Sequence, residues 1–279
     1  MLEINQIHQG DSSVLLKQIE DGIIDLTVTS PPYDNLRDYN GYIFDFETIA
    51  KELYRITKEG GVVVWIVGDQ TINGSETGTS FIQALFFMNV GFCLHDTMIY
   101  CKENYAILTH NRYEQQFEYM FIFSKGKIET TNLIKDKINK HFGKRTNVSK
   151  REKDGTTILK KDKIVKEFGL RPNVWFYKTR KNDINTKINH PAIFPEELAK
   201  DHILSWSNLR DIVLDPFVGS GTTCKMAKQN GRRFIGIDIS KEYVDICNKR
   251  LKQKTMFEIA EKRDTLNSYM EVSADSSQP

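Results

Sequence analysis

Two rhythms of apolar and polar residues run along this chain. Short β-branched or aromatic runs predict strands at Ile23–Thr29, Val62–Val67, Asp96–Cys101, Phe117–Phe123, Ile212–Asp215 and Arg233–Asp238, with a weaker one near Ile4–His8. Between them, apolar residues recur at helical spacing over Ser12–Ile19, Phe46–Thr57, Ser80–Val90, Pro195–Trp206, Gly221–Asn230 and Lys241–Lys252. Gly60-Gly61, Gly91 and Gly231 each stand just before a strand and read as helix stops. This alternation predicts a mostly parallel α/β sheet with helices on both faces. Phe117–Phe123 follows Asp96–Cys101 with no clear helix between them, which predicts an antiparallel strand at one edge of the sheet.

From Ser124 to Lys187 the rhythm weakens and the charge changes. This stretch holds 19 Lys and Arg against 7 Asp and Glu, a net of +12, so the rest of the chain carries a net of −10 within a total of +2. A basic segment inside an acidic body is the footprint of a polyanion partner or of a solvated insertion. Hydrophobic residues make up 39% and charged residues 27%, an ordinary globular composition. No run approaches the roughly 18 apolar residues of a membrane span. The opening MLEINQIHQGD has neither a basic nor an apolar leader region, so no secretory signal is expected. The four cysteines form no C-x-x-C pair; a reduced, cytoplasmic setting and no metal site are expected.

Two strings carry chemistry. Asp215-Pro216-Phe217-Val218-Gly219-Ser220-Gly221-Thr222-Thr223 follows an apolar strand and opens a helix. An acidic residue at a strand end, a glycine turn and a helix start make a cofactor-binding corner. Gly219 and Gly221 let a ligand approach the backbone closely, and Ser220, Thr222 and Thr223 cap or donate. The next strand ends at Asp238, about 20 residues on, a placing that suits ribose hydroxyls. No Gly-Lys-Ser/Thr follows the turn, and the G-x-G-x-x-G pattern is absent, so a nucleoside cofactor without a pyrophosphate fits best.

The second string, Thr29-Ser30-Pro31-Pro32-Tyr33, follows the strand Ile24–Val28. The prolines stiffen the backbone, and Pro32 has no N–H to pair. Ser30 and the Pro31 carbonyl offer two acceptors to a planar amine, and Tyr33 offers a ring to stack on it. Alone, the string also suits a proline-stiffened turn over a buried tyrosine.

Together the two strings resemble the S-adenosylmethionine-dependent amino-methyltransferases of DNA, which methylate adenine N6 or cytosine N4. With the amine string first, the glycine turn last and a basic segment between, the order is similar to the β group of restriction–modification methyltransferases. Gly10-Asp11-Ser12, Asn173-Val174-Trp175 and His190-Pro191-Ala192-Ile193-Phe194-Pro195-Glu196 resemble further family elements. Phe117-Glu118-Tyr119 resembles the family's His-Glu strand, with Phe117 where His is usual. The resemblance spans Gly10 to Leu251.

It implies a doubly wound, mostly parallel, seven-stranded Rossmann-like sheet with an antiparallel edge strand and a basic target-recognition insertion. Residues 1–124 would be the catalytic half, 125–187 the insertion, 188–265 the cofactor-binding half and 266–279 a disordered tail. The cofactor would be S-adenosyl-L-methionine, held by Asp11, Phe194, Pro195, Asp215, Pro216, Phe217, Gly219, Ser220, Gly221, Thr222 and Asp238. Ser30, Pro31, Pro32 and Tyr33 would hold the amine of a base flipped from double-stranded DNA. Asn35 and Arg37 are candidates to line the base pocket. Arg145, Arg151, Arg171 and Arg180 are candidates for guanine edges and phosphates alike. A cognate restriction endonuclease is a candidate partner; monomer and homodimer both fit.

Family members with Ser at the first position of the amine string mostly act on cytosine N4, and those with Asp on adenine N6. Ser30 therefore favours N4, with N6 the alternative. An RNA or protein amine methylase and a catalytically silent DNA-binding relative are weaker alternatives. The Gly/Ser/Thr-rich stretch Asp69–Ser80 reads equally as a mobile loop over the site and as a plain connection.

Overall fold

The computed structural model describes residues 1–32, 44–104, 112–178 and 195–252. They fall into two compact units, Met1–Asn132 with Val174–Pro279, and Leu133–Asn173. In chain order the elements of the first unit begin with β1 (Gln6–Gln9), α1 (Ser12–Leu15), β2 (Ile24–Thr29), α2 (Phe46–Ile56) and β3 (Thr57–Val67). A short hairpin follows, β4 (Thr71–Ile72) and β5 (Ser75–Glu76), then α3 (Thr79–Val90), β6 (Cys93–Lys102) and β7 (Phe117–Ser124). The second unit contains β8 (Lys137–Ile138), β9 (Arg145–Arg151), β10 (Thr157–Ile164) and β11 (Phe168–Gly169). The chain then returns to the first unit with β12 (Val174–Tyr177), α4 (Glu196–Trp206), β13 (Ile212–Asp215), α5 (Thr222–Gln229), β14 (Arg233–Asp238) and α6 (Lys241–Leu251).

Among the described residues, eight strands form one sheet in the order β1-β14-β13-β2-β3-β7-β6-β12. The expectation of seven strands is corrected to eight, because Val174–Tyr177 adds a strand parallel to β6 at the edge. The expectation of an antiparallel edge strand is also corrected. β7 is antiparallel, but it lies inside the sheet, paired with β3 on one side and β6 on the other. The physical reason is its burial: Met120 to Ser124 are all buried, so both faces of the strand are covered, and an edge strand would alternate. β2, buried over most of its length, sits centrally in the same way.

The sheet alternation sorts the core. Val63, Trp65 and Val67 of β3 face a cluster with Ile49, Leu53 and Ile56 of α2 and Phe87 of α3. The Trp65 indole N–H is satisfied by Gln83 Oε1 at 2.8 Å. Helices α4, α5 and α6 pack in sequence with one another, and α4 lies against β2 and β3. On α4, His202 is fully buried, its ring 4.7 Å from that of Trp175. Helix α2 begins at Asp45, whose carboxylate accepts from Thr48 N at 3.2 Å. It ends where the Lys125 ammonium donates to the carbonyls of Tyr54 at 2.9 Å and Thr57 at 3.0 Å, serving the helix end. Among the described residues no helix is long and apolar enough to cross a membrane.

The second unit is built from two antiparallel ladders, β9 with β10 and β8 with β11. The guanidinium of Arg171 donates twice to Asp136, and its backbone N–H bonds to Ile134 O at 3.0 Å, which ties the two ends of the unit together.

Candidate active site

Four adjacent parallel strands, β1, β14, β13 and β2, bring their C-terminal ends to one edge of the sheet. At that edge stand Asp11, Asp238, Asp215 and Ser30, which lie far apart in sequence. β13 is the point at which the winding reverses, the place where ligands bind in a doubly wound sheet.

Asp215 is 1% exposed. Its Oδ1 accepts from Thr29 Oγ1 at 2.7 Å and from Phe217 N at 3.1 Å. Burial pushes its carboxyl up to about 6, against the pull of hydrogen bonds from Thr29, Phe217 and Thr223. Thr223 Oγ1 also donates to Val28 O at 3.1 Å, a second tie from the glycine corner to β2. The Ser30-Pro31-Pro32 string is thus attached to the glycine corner by two side chains, and Ser30 follows directly on Thr29.

Asp238 is buried, and its carboxylate oxygens accept from Gly219 N and Ser240 N, each at 2.8 Å. Burial raises its pKa, against those two hydrogen bonds. Each oxygen has accepting capacity left for a hydroxyl. Gly10 N bonds to Asp238 O at 2.9 Å, which sets the Gly10–Asp11 turn beside Asp238. Asp11 caps α1, its carboxylate accepting from Ser13 N and Ser13 Oγ, each at 2.8 Å. Ser12 Oγ donates to Pro216 O and links the same turn to β13.

The glycines of the corner have a geometric reason. Gly219 and Gly221 adopt φ of 49° and 85°. A Cβ on Gly221 would lie 2.9 Å from the Cys247 sulfur. Cys247 Sγ contacts Gly219 O at 3.0 Å, and burial pushes its thiol up to about 12, so it is a packing group. The N-cap of α5 is Gly221, which has no side chain to cap the helix. Among the described residues the buried Thr222 hydroxyl has no partner. An uncapped helix start with an orphaned hydroxyl suits a carboxylate, and a neighbouring Asp suits ribose hydroxyls. S-adenosylmethionine carries both groups, so these residues fit it.

Other expected site residues are placed as follows. Phe217 is half-buried, edge-on to Phe44 at 5.4 Å and Trp65 at 6.2 Å. Pro31, Pro195, Pro216 and Ser220 are buried, and Ser30 and Pro32 half-buried. Arg145 and Arg151 bound β9 in the second unit, at positions that are exposed. Tyr33, Asn35, Arg37, Arg180 and Phe194 lie outside the described residues, as does most of the His190–Glu196 string. The stretch 69–80 carries the β4–β5 hairpin, and Asp69 caps α3 by accepting from Ser80 N at 2.9 Å.

Sequence reasoning named Thr223 as a cap or donor without its partner, and did not single out Thr29, Glu196 and Arg250 as contributors to the site's framework. Thr29, Thr223 and Glu196 stood within the quoted strings, so their position was visible and their partners were not. Arg250 had no local signal: it is one of several basic residues in a surface helix.

A DNA methylase family model (N6_N4_Mtase) matches residues 24–249. The orphan methyltransferase M.BamHII of Bacillus amyloliquefaciens is 58% identical over 242 residues, covering 85% of this chain and 91% of that protein. The type II methyltransferase M1.MboII of Moraxella bovis is 28% identical over 267 residues, covering 91% and 98%. Among solved structures, the M1.HpyAVI–SAM complex matches with a TM-score of 0.61 at 27% identity, covering 89% of this chain and 99% of that one. The PvuII DNA methyltransferase (cytosine-N4-specific) matches with a TM-score of 0.67 at 20% identity, covering 93% and 90%, a likeness of fold alone.

Proposed function

Because the chain belongs to the DNA methylase family, we propose that it methylates the exocyclic N4 amine of cytosine within a specific site in double-stranded DNA. At the coarser level it is an S-adenosylmethionine-dependent DNA amino-methyltransferase of restriction–modification type. The observation that carries the finer reading is Ser30, the first residue beyond the Thr29–Asp215 hydrogen bond, at the strand end beside the glycine corner.

Bound S-adenosylmethionine supplies a methyl group made electrophilic by its sulfonium. The protein's task is to present an amine whose lone pair is otherwise delocalised into the base. Ser30 Oγ and the Pro31 carbonyl accept the two amine N–H groups and favour a pyramidal, more nucleophilic nitrogen. The nitrogen would take the methyl as the methyl's bond to the sulfonium sulfur breaks, leaving S-adenosylhomocysteine, and would release one proton to solvent, with no covalent enzyme intermediate needed. Rate acceleration comes mainly from holding amine and cofactor in line, which is the consequence of tying β2 to β13. Tyr33 is assigned to stack on the flipped base, Asp238 to bind the ribose, and Thr222 with the start of α5 to hold the carboxylate of the cofactor. The basic second unit supplies phosphate contacts and base readout.

Nucleoside mass spectrometry of DNA from cells expressing the intact chain, with Ser30→Ala as control, tests this. N4-methylcytosine only with the intact chain is the expected result. N6-methyladenine would keep the mechanism and overturn the base. Neither mark, with folded protein present, would redirect the reading to RNA, to a protein amide or to a silent relative.

A further inference from the structure

Behind the glycine corner lies a charged cluster outside the residues expected to touch cofactor or amine. Arg250, in the last turn of α6, donates through Nη1 to the Ser220 carbonyl and to Ser220 Oγ at 3.1 Å. Its Nη2 donates to Glu196 Oε1 at 2.7 Å. Lys225 of α5 donates to the same Glu196 oxygen at 2.6 Å. The Arg250 and Lys225 side chains are largely buried, at 14% and 17% exposure. Burial raises the cost of ionising Glu196, but the hydrogen bonds and charges of Lys225 and Arg250 outweigh it and hold its pKa below the usual value.

The contacts fall at informative places. Ser220 C=O and Gly221 N–H belong to one peptide plane. Arg250 holds its oxygen, and Val218 O holds its N–H at 2.7 Å. That plane precedes a residue at φ 85°, so its orientation sets where α5 begins and where the Thr222 hydroxyl points. Glu196 follows Pro195 at the start of α4. One guanidinium therefore fixes the glycine corner and the start of α4 relative to each other. A planar fork can grip two partners at once in a way that an ammonium point charge does not.

We propose that Arg250 is a positioning residue for the cofactor: together with Glu196 it holds the Ser220–Gly221 peptide and the start of α4 at one separation, and so sets the affinity for S-adenosylmethionine without touching it. The inference rests on the reading that the glycine corner binds this cofactor.

The test is Arg250→Met, Arg250→Lys and Glu196→Gln in the full chain, read by calorimetric binding of S-adenosylhomocysteine and by steady-state methylation of DNA. Arg250→Met should raise the Kd for S-adenosylhomocysteine and the KM for S-adenosylmethionine about tenfold or more, with kcat at saturating cofactor and the KM for DNA within about threefold of the parent. Arg250→Lys should recover part of the loss. Glu196→Gln should weaken cofactor binding by about threefold, and by less than that in the Arg250→Met background, because the two act as one unit. Unchanged cofactor affinity in Arg250→Met and in Glu196→Gln, with a lower melting temperature alone, would overturn the inference and leave a merely structural cluster. If Arg250→Met does not fold, Glu196→Gln and Arg250→Lys decide on the same readout. A parent chain that binds no S-adenosylhomocysteine would overturn the cofactor reading itself; a parent that binds and methylates, with variants that bind equally well, would overturn only this inference.

Discussion

Thr29 Oγ1 donates to Asp215 Oδ1 at 2.7 Å, joining the strand that leads into the amine string to the strand that leads into the glycine corner. Thr29 is fully buried and Asp215 is 1% exposed, so water cannot stand in for either partner. The two residues lie 186 positions apart. The two strings proposed to hold amine and cofactor are held in register here.

Thr29→Val removes the donor and leaves a buried carboxylate short of a partner. A loss of about 1–3 kcal/mol of stability is expected. Methyl transfer should fall further than stability explains, because Ser30 shifts relative to the corner. Thr29→Ser should restore both. Urea unfolding beside single-turnover methylation checks this; a valine variant with the parent's rate would remove Thr29 from the mechanism.

Asp215 gives a pH dependence of definite sign. Its folded pKa of about 6 lies above the ordinary carboxylate value of 3.8. Folding therefore favours the protonated form. The stabilising contribution is full below about pH 4 and is lost as pH rises through about 6, a change on the order of 3 kcal/mol. Asp215→Asn does not titrate, so the stability of the parent relative to this variant should decline across that window and level off above about pH 7. Parallel unfolding curves from pH 4 to 8 would contradict the assignment.

Gly221→Ala meets two obstacles, the backbone φ of 85° and the Cys247 sulfur 2.9 Å from the new Cβ. A cost of about 1–3 kcal/mol is expected, with weakened cofactor binding because α5 starts there. Denaturant midpoint and S-adenosylhomocysteine binding are the readouts, and a parent-like result in both would show that the corner tolerates a side chain.

Two arginines of the second unit should behave differently. Arg151 occupies an exposed position at the end of β9. Arg151→Ala should weaken DNA binding and reduce the salt slope by about 1, with cofactor binding untouched. Arg171 is engaged with Asp136 and holds that carboxyl below its usual value. Arg171→Ala should lower the stability of the unit first and DNA affinity only as a consequence. Salt-titrated binding with hydrogen exchange separates the two effects; equal salt slopes for both variants would show that Arg171 also meets phosphate.

The elements themselves were legible in the chain because they depend on neighbours in sequence. Ile212–Asp215 and Arg233–Asp238 form strands over the expected residues, and the other expected strands and helices appear with shifted ends. The glycine corner and Ser30-Pro31-Pro32 stood out as strings for the same reason: each carries its own backbone constraints and its own donors and acceptors, on which the roles proposed for them rest. The interior place of β7 was half legible, since Tyr119-Met120-Phe121-Ile122-Phe123 has no polar alternation and so suits a strand covered on both faces.

By itself, then, the sequence determined the alternating strand and helix framework, the glycine turn after β13, the proline string after β2 and the segregation of positive charge, all set by local periodicity and contiguous motifs. Only the tertiary structure decided the eight-strand order, the burial of β7 between β3 and β6, the Thr29–Asp215 bond and the grip of Arg250 on Ser220 and Glu196. Those features depend on pairs separated by tens to nearly two hundred residues, and a contact between distant side chains leaves no period in the chain that makes it.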